Sequence, residues 1–288
     1  MEHSKYEIEE CRGVLRVYSD GTIVRSNKPS FEVPIHDDGS ILWKDVIFEA
    51  MHNLQLPPRL LLHSRGGFCI GSRTWPNCQN YCFKLASSFK PWLRAVKWLR
   101  DQAVSDEPDT WLTDVADFSH VFISGDSAGG NIAHHLAVRL KAGSAELNPV
   151  RVRGYMYLLP FFGGTERTKF EAEGPKEAFL NIELIDRFWR LSIPIGTTND
   201  HPLVNPFGPN SPNLEKIDLD PILVLVGGCD LLKDRAIDYA NKLKNYGKKI
   251  EYVEFEGQQH GFFTIDPNSE PSKKLMLIIK KFIQDNSS

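Results

Sequence analysis

The pentapeptide Gly125-Asp126-Ser127-Ala128-Gly129 has the pattern G-x-S-x-G, in which a serine stands between small residues. It directly follows the apolar run 121–124 and directly precedes a segment with helical periodicity. A serine on so sharp a strand-to-helix turn needs neighbours without bulk, and the helix N-terminus behind it favours a developing negative charge. The pattern predicts Ser127 as a nucleophile, although the pentapeptide alone is equally typical of a glycine-rich turn with a capping serine.

A serine hydroxyl becomes a useful nucleophile only beside a base, and the base needs a carboxylate that orients it. Asp230 follows the apolar run 222–228, and His260 lies in a loop after the run 250–256. Both follow predicted buried strands, at the edge where the sites of α/β proteins are built. The sequence therefore predicts His260 as the base and Asp230 as its partner. Asp234 is the competing carboxylate, but its position in the first turn of a predicted helix favours stabilisation of the helix dipole.

An oxyanion formed during acyl transfer needs backbone N–H donors, one from the residue after the nucleophile and others from a glycine-rich loop. Ala128 is the residue after the predicted nucleophile. Gly66 and Gly67 lie in the loop 63–68, which follows the apolar run 60–62. The sequence predicts these three N–H groups as the oxyanion hole.

The elements that must position these residues alternate along the chain. Four short runs rich in β-branched or aromatic residues predict buried strands, and helical periodicity predicts helices between and after them. The predicted strands are 121–124, 152–159, 222–226 and 250–255, and the predicted helices are 129–140, 178–191, 232–245 and 271–284. The alternation predicts a parallel sheet covered by helices on both faces, in a single domain over 1–288.

The first hundred residues are less regular. The stretch 14–25 alternates around an Asp-Gly pair, which predicts a small hairpin, and residues 1–55 are interpreted as this hairpin with a cap-like segment. Helical periodicity over 76–102 is interrupted at Lys90-Pro91, which predicts two successive helices.

Two further predictions concern segments around the candidate site. The long Gly/Pro-rich stretches 163–175 and 195–212 are predicted to be loops over the sheet. His134 and His135, on the helix after Ser127, are interpreted as packing or surface residues without a catalytic role.

Composition excludes several classes of function. The chain has 34 Lys and Arg against 37 Asp and Glu, so its net charge of −3 provides no basic field for nucleic acid. No run approaches the roughly 18 apolar residues of a membrane span, and no secretory signal pattern is visible. The five cysteines form no C-x-x-C pair or Cys/His cluster, which indicates reduced thiols in a cytoplasm-like compartment and no metal site.

The motifs around the candidate site resemble those of a known family. The serine motif continued over 125–134, the loop continued over 66–72 and the run 205–209 are similar to those of plant carboxylesterases of the hormone-sensitive-lipase-like α/β-hydrolase family. That family includes the gibberellin receptors. The likeness covers nearly the whole chain and extends to the branch that includes strigolactone-cleaving esterases.

The resemblance implies an α/β-hydrolase fold that hydrolyses a small-molecule carboxylic ester through an acyl-enzyme, with neither metal nor organic cofactor. It implies the cytoplasm as compartment, with the nucleus as a second candidate. Two other readings stay open: a hormone-binding protein on the same fold, and a catalytically weakened or dead truncated hydrolase. Receptors of that kind lack the catalytic histidine, so the presence of His260 favours the esterase.

The chain also departs from the family pattern. The family has the sequence His-Gly-Gly-Gly-Phe in this loop, whereas the present chain is one residue longer and has Arg65 beside the two glycines. The bulky arginine predicts a displaced oxyanion hole. A family strand and loop are missing between Phe89 and Lys90, and another strand is missing before Leu60, as a splice variant or a gene-model error would produce. The sequence therefore predicts about six strands, two of them in the detached hairpin, with 60–62 at an exposed edge. Low solubility and weak activity are expected.

Overall fold

The structure is a computed structural model that describes residues 5–11, 15–20, 22–25, 46–49, 54–56, 61–64 and 85–287. Its strands are β1 (Glu7–Cys11), β2 (Leu15–Tyr18), β3 (Ile23–Arg25), β4 (Val46–Glu49), β5 (Leu54–Leu56), β6 (Leu61–Ser64), β7 (Val121–Asp126), β8 (Val152–Leu158), β9 (Ile222–Gly227) and β10 (Ile250–Phe255). Its α-helices are α1 (Leu85–Val104), α2 (Thr110–Val115), α3 (Ala128–Leu140), α4 (Lys169–Glu173), α5 (Ile182–Ser192), α6 (Lys233–Asn245), α7 (Phe262–Ile265) and α8 (Glu270–Asp285).

The central sheet has five parallel strands in the order β10-β9-β8-β7-β6. Strands β7 and β9 are buried along their whole length, which explains why their sequences do not alternate between apolar and polar residues. Within the described residues β6 is the end strand of the sheet and pairs only with β7, which agrees with the edge position predicted for Leu61 and Leu62. Leu60 lies outside the described residues.

Helices cover both faces of this sheet. On one face, Ile123 of β7 and Val224 of β9 share a buried cluster with residues of α1, α3 and α6. On the other face, Phe122 and Leu223 share a second cluster with residues of α8. Neighbouring residues of one strand thus serve opposite layers, because side chains alternate across a sheet. The predicted parallel sheet with helices on both faces is confirmed.

The predicted N-terminal hairpin is confirmed as β2 and β3, and it forms a separate antiparallel sheet with β1. Val17 and Ile23 pack against the apolar cluster that includes α5. The carboxylate of Glu9 lies 3.2 Å from Arg187 and 3.1 Å from Arg190, both on α5. The small sheet therefore rests on α5 through apolar contacts bordered by ion pairs.

The predicted break at Lys90-Pro91 is wrong, since α1 runs continuously through it. Proline removes one N–H from the helical ladder and normally kinks or breaks a helix. The turns that follow carry Ala95, Val96 and Leu99, which are buried in the core, and we attribute the continuity of α1 to this burial. The junction between Phe89 and Lys90, where a strand was predicted to be missing, lies inside this helix.

The predicted strand count also needs correction. The described residues contain ten strands in three sheets, because β1 joins the hairpin and β4 pairs with β5 in a third, two-stranded sheet. These three strands were missed because they are only three to five residues long, and in β1 and β5 glutamate or glutamine also interrupts the apolar residues and weakens the pattern.

The predicted loop 163–175 contains the short helix α4. The Thr168 hydroxyl and the Glu171 carboxylate cap its first turn reciprocally. Glu171 is also fully buried against Arg235 of α6, whose Nε and Nη2 donate to its two carboxylate oxygens over 2.9 and 2.8 Å. The segment after β8 is thereby fastened to α6 by a bidentate ion pair.

Candidate active site

Ser127 occupies the turn between β7 and α3, hereafter the elbow. Its backbone has φ 57° and ψ −115°, in the left-handed region that residues with a side chain avoid at a cost of about 1–3 kcal/mol. A Cβ atom on Gly125 would lie 2.0 Å from the carbonyl oxygen of Gly129, so the turn closes only with glycine there. Gly125 thus has the steric role that the sequence predicted for the glycines flanking Ser127.

The side chain of Ser127 makes no capping hydrogen bond to α3, which argues against the interpretation as an ordinary capping serine. Its Oγ instead lies 2.9 Å from Nε2 of His260. Nδ1 of the same ring lies 2.7 Å from Oδ2 of Asp230. A neutral imidazole protonated at Nδ1 donates to the aspartate and accepts the serine hydroxyl proton. The structure brings these three side chains into one hydrogen-bonded chain.

All three groups are buried: Ser127 is 8%, His260 7% and Asp230 1% exposed. Asp230 follows β9, and its other carboxylate oxygen accepts the N–H of Leu232 over 3.0 Å, which fixes the rotation of the carboxylate. His260 lies in the loop between β10 and α7. The three residues come from the carboxyl ends of β7, β9 and β10, where parallel strands place their loops together.

The pKa of His260 lies above its ordinary value. Burial is the largest single effect and lowers this pKa, because a charged ring is poorly solvated in the interior. The charge and hydrogen bond of Asp230, with the charge of Asp126, outweigh burial and favour the protonated ring. The ring is therefore a stronger proton acceptor than an isolated buried histidine.

Asp234, the competing carboxylate, is placed differently. It lies in the first turn of α6, where its charge complements the positive end of the helix dipole. Its Oδ2 accepts the N–H of Phe170 in α4 over 2.8 Å. Its observed contacts thus connect α6 to α4, whereas those of Asp230 lead to His260.

The two histidines after the elbow are packing residues. His134 is 2% exposed, and its Nδ1 lies 2.9 Å from the hydroxyl of Tyr239. Burial, with the nearby His135, holds the pKa of His134 well below its ordinary value. Burial also lowers the pKa of His135 to about 4, although the carbonyl of Leu203 opposes the shift. Both rings are neutral near pH 7.

Of the predicted oxyanion donors, Ala128 is the buried first residue of α3, directly after the elbow. Gly66 and Gly67 lie outside the described residues, as does Arg65. Ser64, the last residue of β6, is paired in register with Gly125 of β7. Strand β6 therefore ends beside Gly125, two residues before Ser127.

Sequence reasoning missed Asn131 in α3. This residue is 1% exposed, and its Nδ2 donates to the backbone carbonyls of Phe161 and Leu203. A polar amide among the small and apolar residues of the first turns of α3 is a signal that could have been noticed, because buried polar groups need partners.

Across the described residues, His, Cys, Asp and Glu form no group of three or more that could hold a metal ion. None of the helices that the structure describes is long and apolar enough to cross a membrane.

The family model described as the alpha/beta hydrolase fold matches residues 87–264, more than half of the chain. The matched range includes Ser127, Asp230 and His260. Among solved structures, an ester hydrolase from the metagenome of Lake Arreo, in complex with a bipyridine phosphonate derivative, superposes with a TM-score of 0.60 at 21% identity. The match covers 79% of this chain and 73% of that one, and it supports the fold.

Among curated relatives, gibberellin receptor GID1 of Oryza sativa subsp. japonica is 38% identical over 168 residues, 58% of this chain and 46% of the receptor. The chain thus spans about half the length of the gibberellin receptors that it matches. The 2-hydroxyisoflavanone dehydratase of Glycyrrhiza echinata is 28% identical and aligns over 97% of each chain. That alignment has 323 positions against 288 residues here, so it contains gaps on the side of this chain. By its fold, its motifs and these relatives, the chain belongs to the hormone-sensitive-lipase-like α/β-hydrolase family.

Proposed function

We propose that the protein is a serine carboxylesterase that hydrolyses a small-molecule ester through an acyl-enzyme intermediate. The observation that carries the proposal is the buried hydrogen-bonded chain from Ser127 through His260 to Asp230. In this proposal Ser127 is the nucleophile, His260 the general base and Asp230 the group that orients the base. Membership in a family with esterase members supports the same conclusion.

In the first half of the reaction, Oγ of Ser127 attacks the ester carbonyl carbon while Nε2 of His260 takes the hydroxyl proton. The Asp230 carboxylate stabilises the imidazolium that results. The carbonyl oxygen becomes an oxyanion that accepts hydrogen bonds from the N–H of Ala128 and from the proposed donors Gly66 and Gly67. The intermediate then expels the alcohol, which leaves with the proton held by His260.

In the second half, a water molecule attacks the acyl group on Ser127, and His260 accepts a proton from that water. Collapse of the second tetrahedral intermediate releases the carboxylic acid and returns the proton to Ser127. The dry surroundings of the three side chains strengthen each electrostatic interaction along this path. The net reaction converts one ester and one water into an acid and an alcohol.

Small-molecule binding without hydrolysis is the second candidate function. It is favoured by the identity of 34–38% with proteins named gibberellin receptors. Both candidates place a small molecule beside Ser127, but only the esterase needs an activated hydroxyl on that residue. Covalent labelling of that serine therefore distinguishes them.

The test is labelling of the purified, folded chain with a fluorophosphonate, followed by peptide mass spectrometry and hydrolysis of p-nitrophenyl acetate. We expect a single adduct on Ser127, and loss of both labelling and hydrolysis in Ser127→Ala. Ser124→Ala is the matched control, because Ser124 is a buried serine of β7 three residues away. A folded chain that neither labels nor hydrolyses esters would exclude the esterase and favour the binding protein or a dead hydrolase.

A further inference from the structure

The side chain of Asn131 connects the elbow helix to two loops. Its Nδ2 donates to the carbonyl of Phe161 over 3.0 Å and to the carbonyl of Leu203 over 2.9 Å. An amide nitrogen has two hydrogens, and both are used here. One buried side chain thus binds Leu203, inside the predicted loop 195–212, and Phe161, two residues before the predicted loop 163–175.

The contact to Phe161 closes a ring of hydrogen bonds around the elbow. The N–H of Phe161 donates to the carbonyl of Ser127 over 3.0 Å, and the N–H of Asn131 donates to the same carbonyl over 3.3 Å. The N–H of Phe161 is therefore bound to Ser127 directly, and the carbonyl of Phe161 is bound to the Asn131 side chain. The ring of contacts fixes the peptide that follows Ser127.

The elbow needs such support because the backbone of Ser127 is in the left-handed region. Strained residues keep their conformation only where the surroundings over-determine it. His260 is on a separate loop, so a relaxation of the elbow would change the 2.9 Å distance between Oγ and Nε2. A displacement of about 1 Å at a reacting group can cost on the order of a hundredfold in rate.

We infer that Asn131 is a positioning residue that holds Ser127 in reach of His260 by binding the backbone of Phe161 and Leu203. The inference rests on the proposed function for its catalytic consequence, while the anchoring of Phe161 stands on the hydrogen bonds alone. Asn131 contacts neither the substrate nor the reacting atoms in this account; it acts through the elbow.

The experiment compares Asn131→Ala with Tyr239→Phe. The control removes one buried hydrogen bond, between Tyr239 of α6 and His134. His134 is on α3, as Asn131 is, but it lies further from the elbow. We expect Asn131→Ala to lower kcat for p-nitrophenyl acetate about 30- to 100-fold with KM changed less than threefold. Tyr239→Phe should keep kcat within about twofold at a comparable loss of thermal stability, because it leaves the elbow untouched.

A second readout is hydrogen exchange of the Phe161 amide, which needs no activity. We expect at least about tenfold faster exchange at this amide in Asn131→Ala and unchanged exchange in Tyr239→Phe. Asn131→Ser, whose hydroxyl can donate to one of the two carbonyls, should give intermediate values and serves if the alanine variant does not fold.

The outcomes separate the two proposals. A wild-type chain without labelling or hydrolysis would refute the esterase, while faster exchange at Phe161 in the variants would still support the anchoring by Asn131. Wild-type kcat and wild-type exchange in a folded Asn131→Ser or Asn131→Ala would overturn the inference. Equal kcat losses in Asn131→Ala and Tyr239→Phe would also overturn it, since the effect would then be general destabilisation.

Discussion

Two buried histidines, His260 and His134, show how the same side chain is given opposite properties. Both rings are almost completely removed from water. Burial lowers the pKa of each, but only His260 has a carboxylate against Nδ1, and its pKa is raised overall. His134 has the hydroxyl of Tyr239 at the same atom, and its pKa stays well below the ordinary value.

The surroundings of the two rings explain the difference further. His134 is enclosed by aromatic rings, with Tyr157, Phe162 and Tyr239 in edge-on contact at centroid distances of 5.3 to 6.4 Å. These described neighbours are uncharged and cannot compensate a charge on the imidazole, so the ring stays neutral. A buried histidine becomes a useful base only where a second buried group can stabilise the imidazolium.

The largest expected effect is the difference in activity between two variants that carry the same substitution, one at His260 and one at His134. We expect His260→Gln to lower kcat for p-nitrophenyl acetate about 10⁴- to 10⁶-fold, because the base is lost. His134→Gln should change kcat less than about threefold and lower the free energy of unfolding by about 1 kcal/mol, because the contact with Tyr239 is altered. Kinetics and urea unfolding measure both. Comparable kcat losses would show that the comparison between the two rings is mistaken.

A smaller effect separates the two aspartates. Asp230→Asn should lower kcat about 10³- to 10⁴-fold, since an amide neither orients the imidazole correctly nor stabilises its charge. Asp234→Asn should change kcat less than about threefold, because its amide oxygen can still accept the N–H of Phe170. Steady-state kinetics at equal folded concentration decide this, and a larger loss in Asp234→Asn would reverse the proposed assignment.

The smallest effect is in the pH dependence, because the pKa of His260 is raised and the pKa of His134 is lowered. A base must be neutral, so kcat/KM should fall about tenfold per pH unit below the raised pKa of His260, which lies above 6.5. His134 and His135 have lowered pKa values when folded, so the unfolded chain binds more protons in acid. Their stabilising contribution is present above pH 6.5 and is lost for His135 as the pH falls towards about 4.

The raised pKa of His260 has the reverse linkage, because the folded chain then binds the proton more tightly and its contribution fades as the pH rises. As the pH is lowered, activity should therefore begin to decline at a higher pH than the free energy of unfolding does. The pH profile of kcat/KM and urea midpoints at pH 8, 6.5 and 4.5 test this order, with His135→Gln as the variant that should flatten the loss in acid. An activity limb below pH 6.5 would contradict the account of His260.

Much of this architecture could be predicted because it depends on local pattern. The runs around Ile123 and Val224 are apolar since both faces of their strands are covered, and parallel strands bring their carboxyl ends together. That rule is enough to place Ser127, Asp230 and His260 near one another. Their catalytic roles remain proposals, as does the oxyanion role of Gly66 and Gly67.

Other features depend on contacts between distant parts of the chain and could not be predicted. The continuity of α1 across Pro91 accompanies burial against other elements, which a local rule for proline does not include. The ion pair between Glu171 and Arg235 joins residues 64 positions apart. The amide of Asn131 meets carbonyls 30 and 72 positions away. The spacing of residues along the sequence carries no information on such long-range contacts.

The left-handed backbone at Ser127 also affects how this chain can vary over generations. Glycine adopts that conformation without steric cost, so a glycine at this position would relieve most of the strain in the elbow. Selection for stability alone would therefore favour glycine here, whereas the proposed nucleophile requires the serine hydroxyl. At position 127 a more stable fold and the proposed reaction thus require different residues.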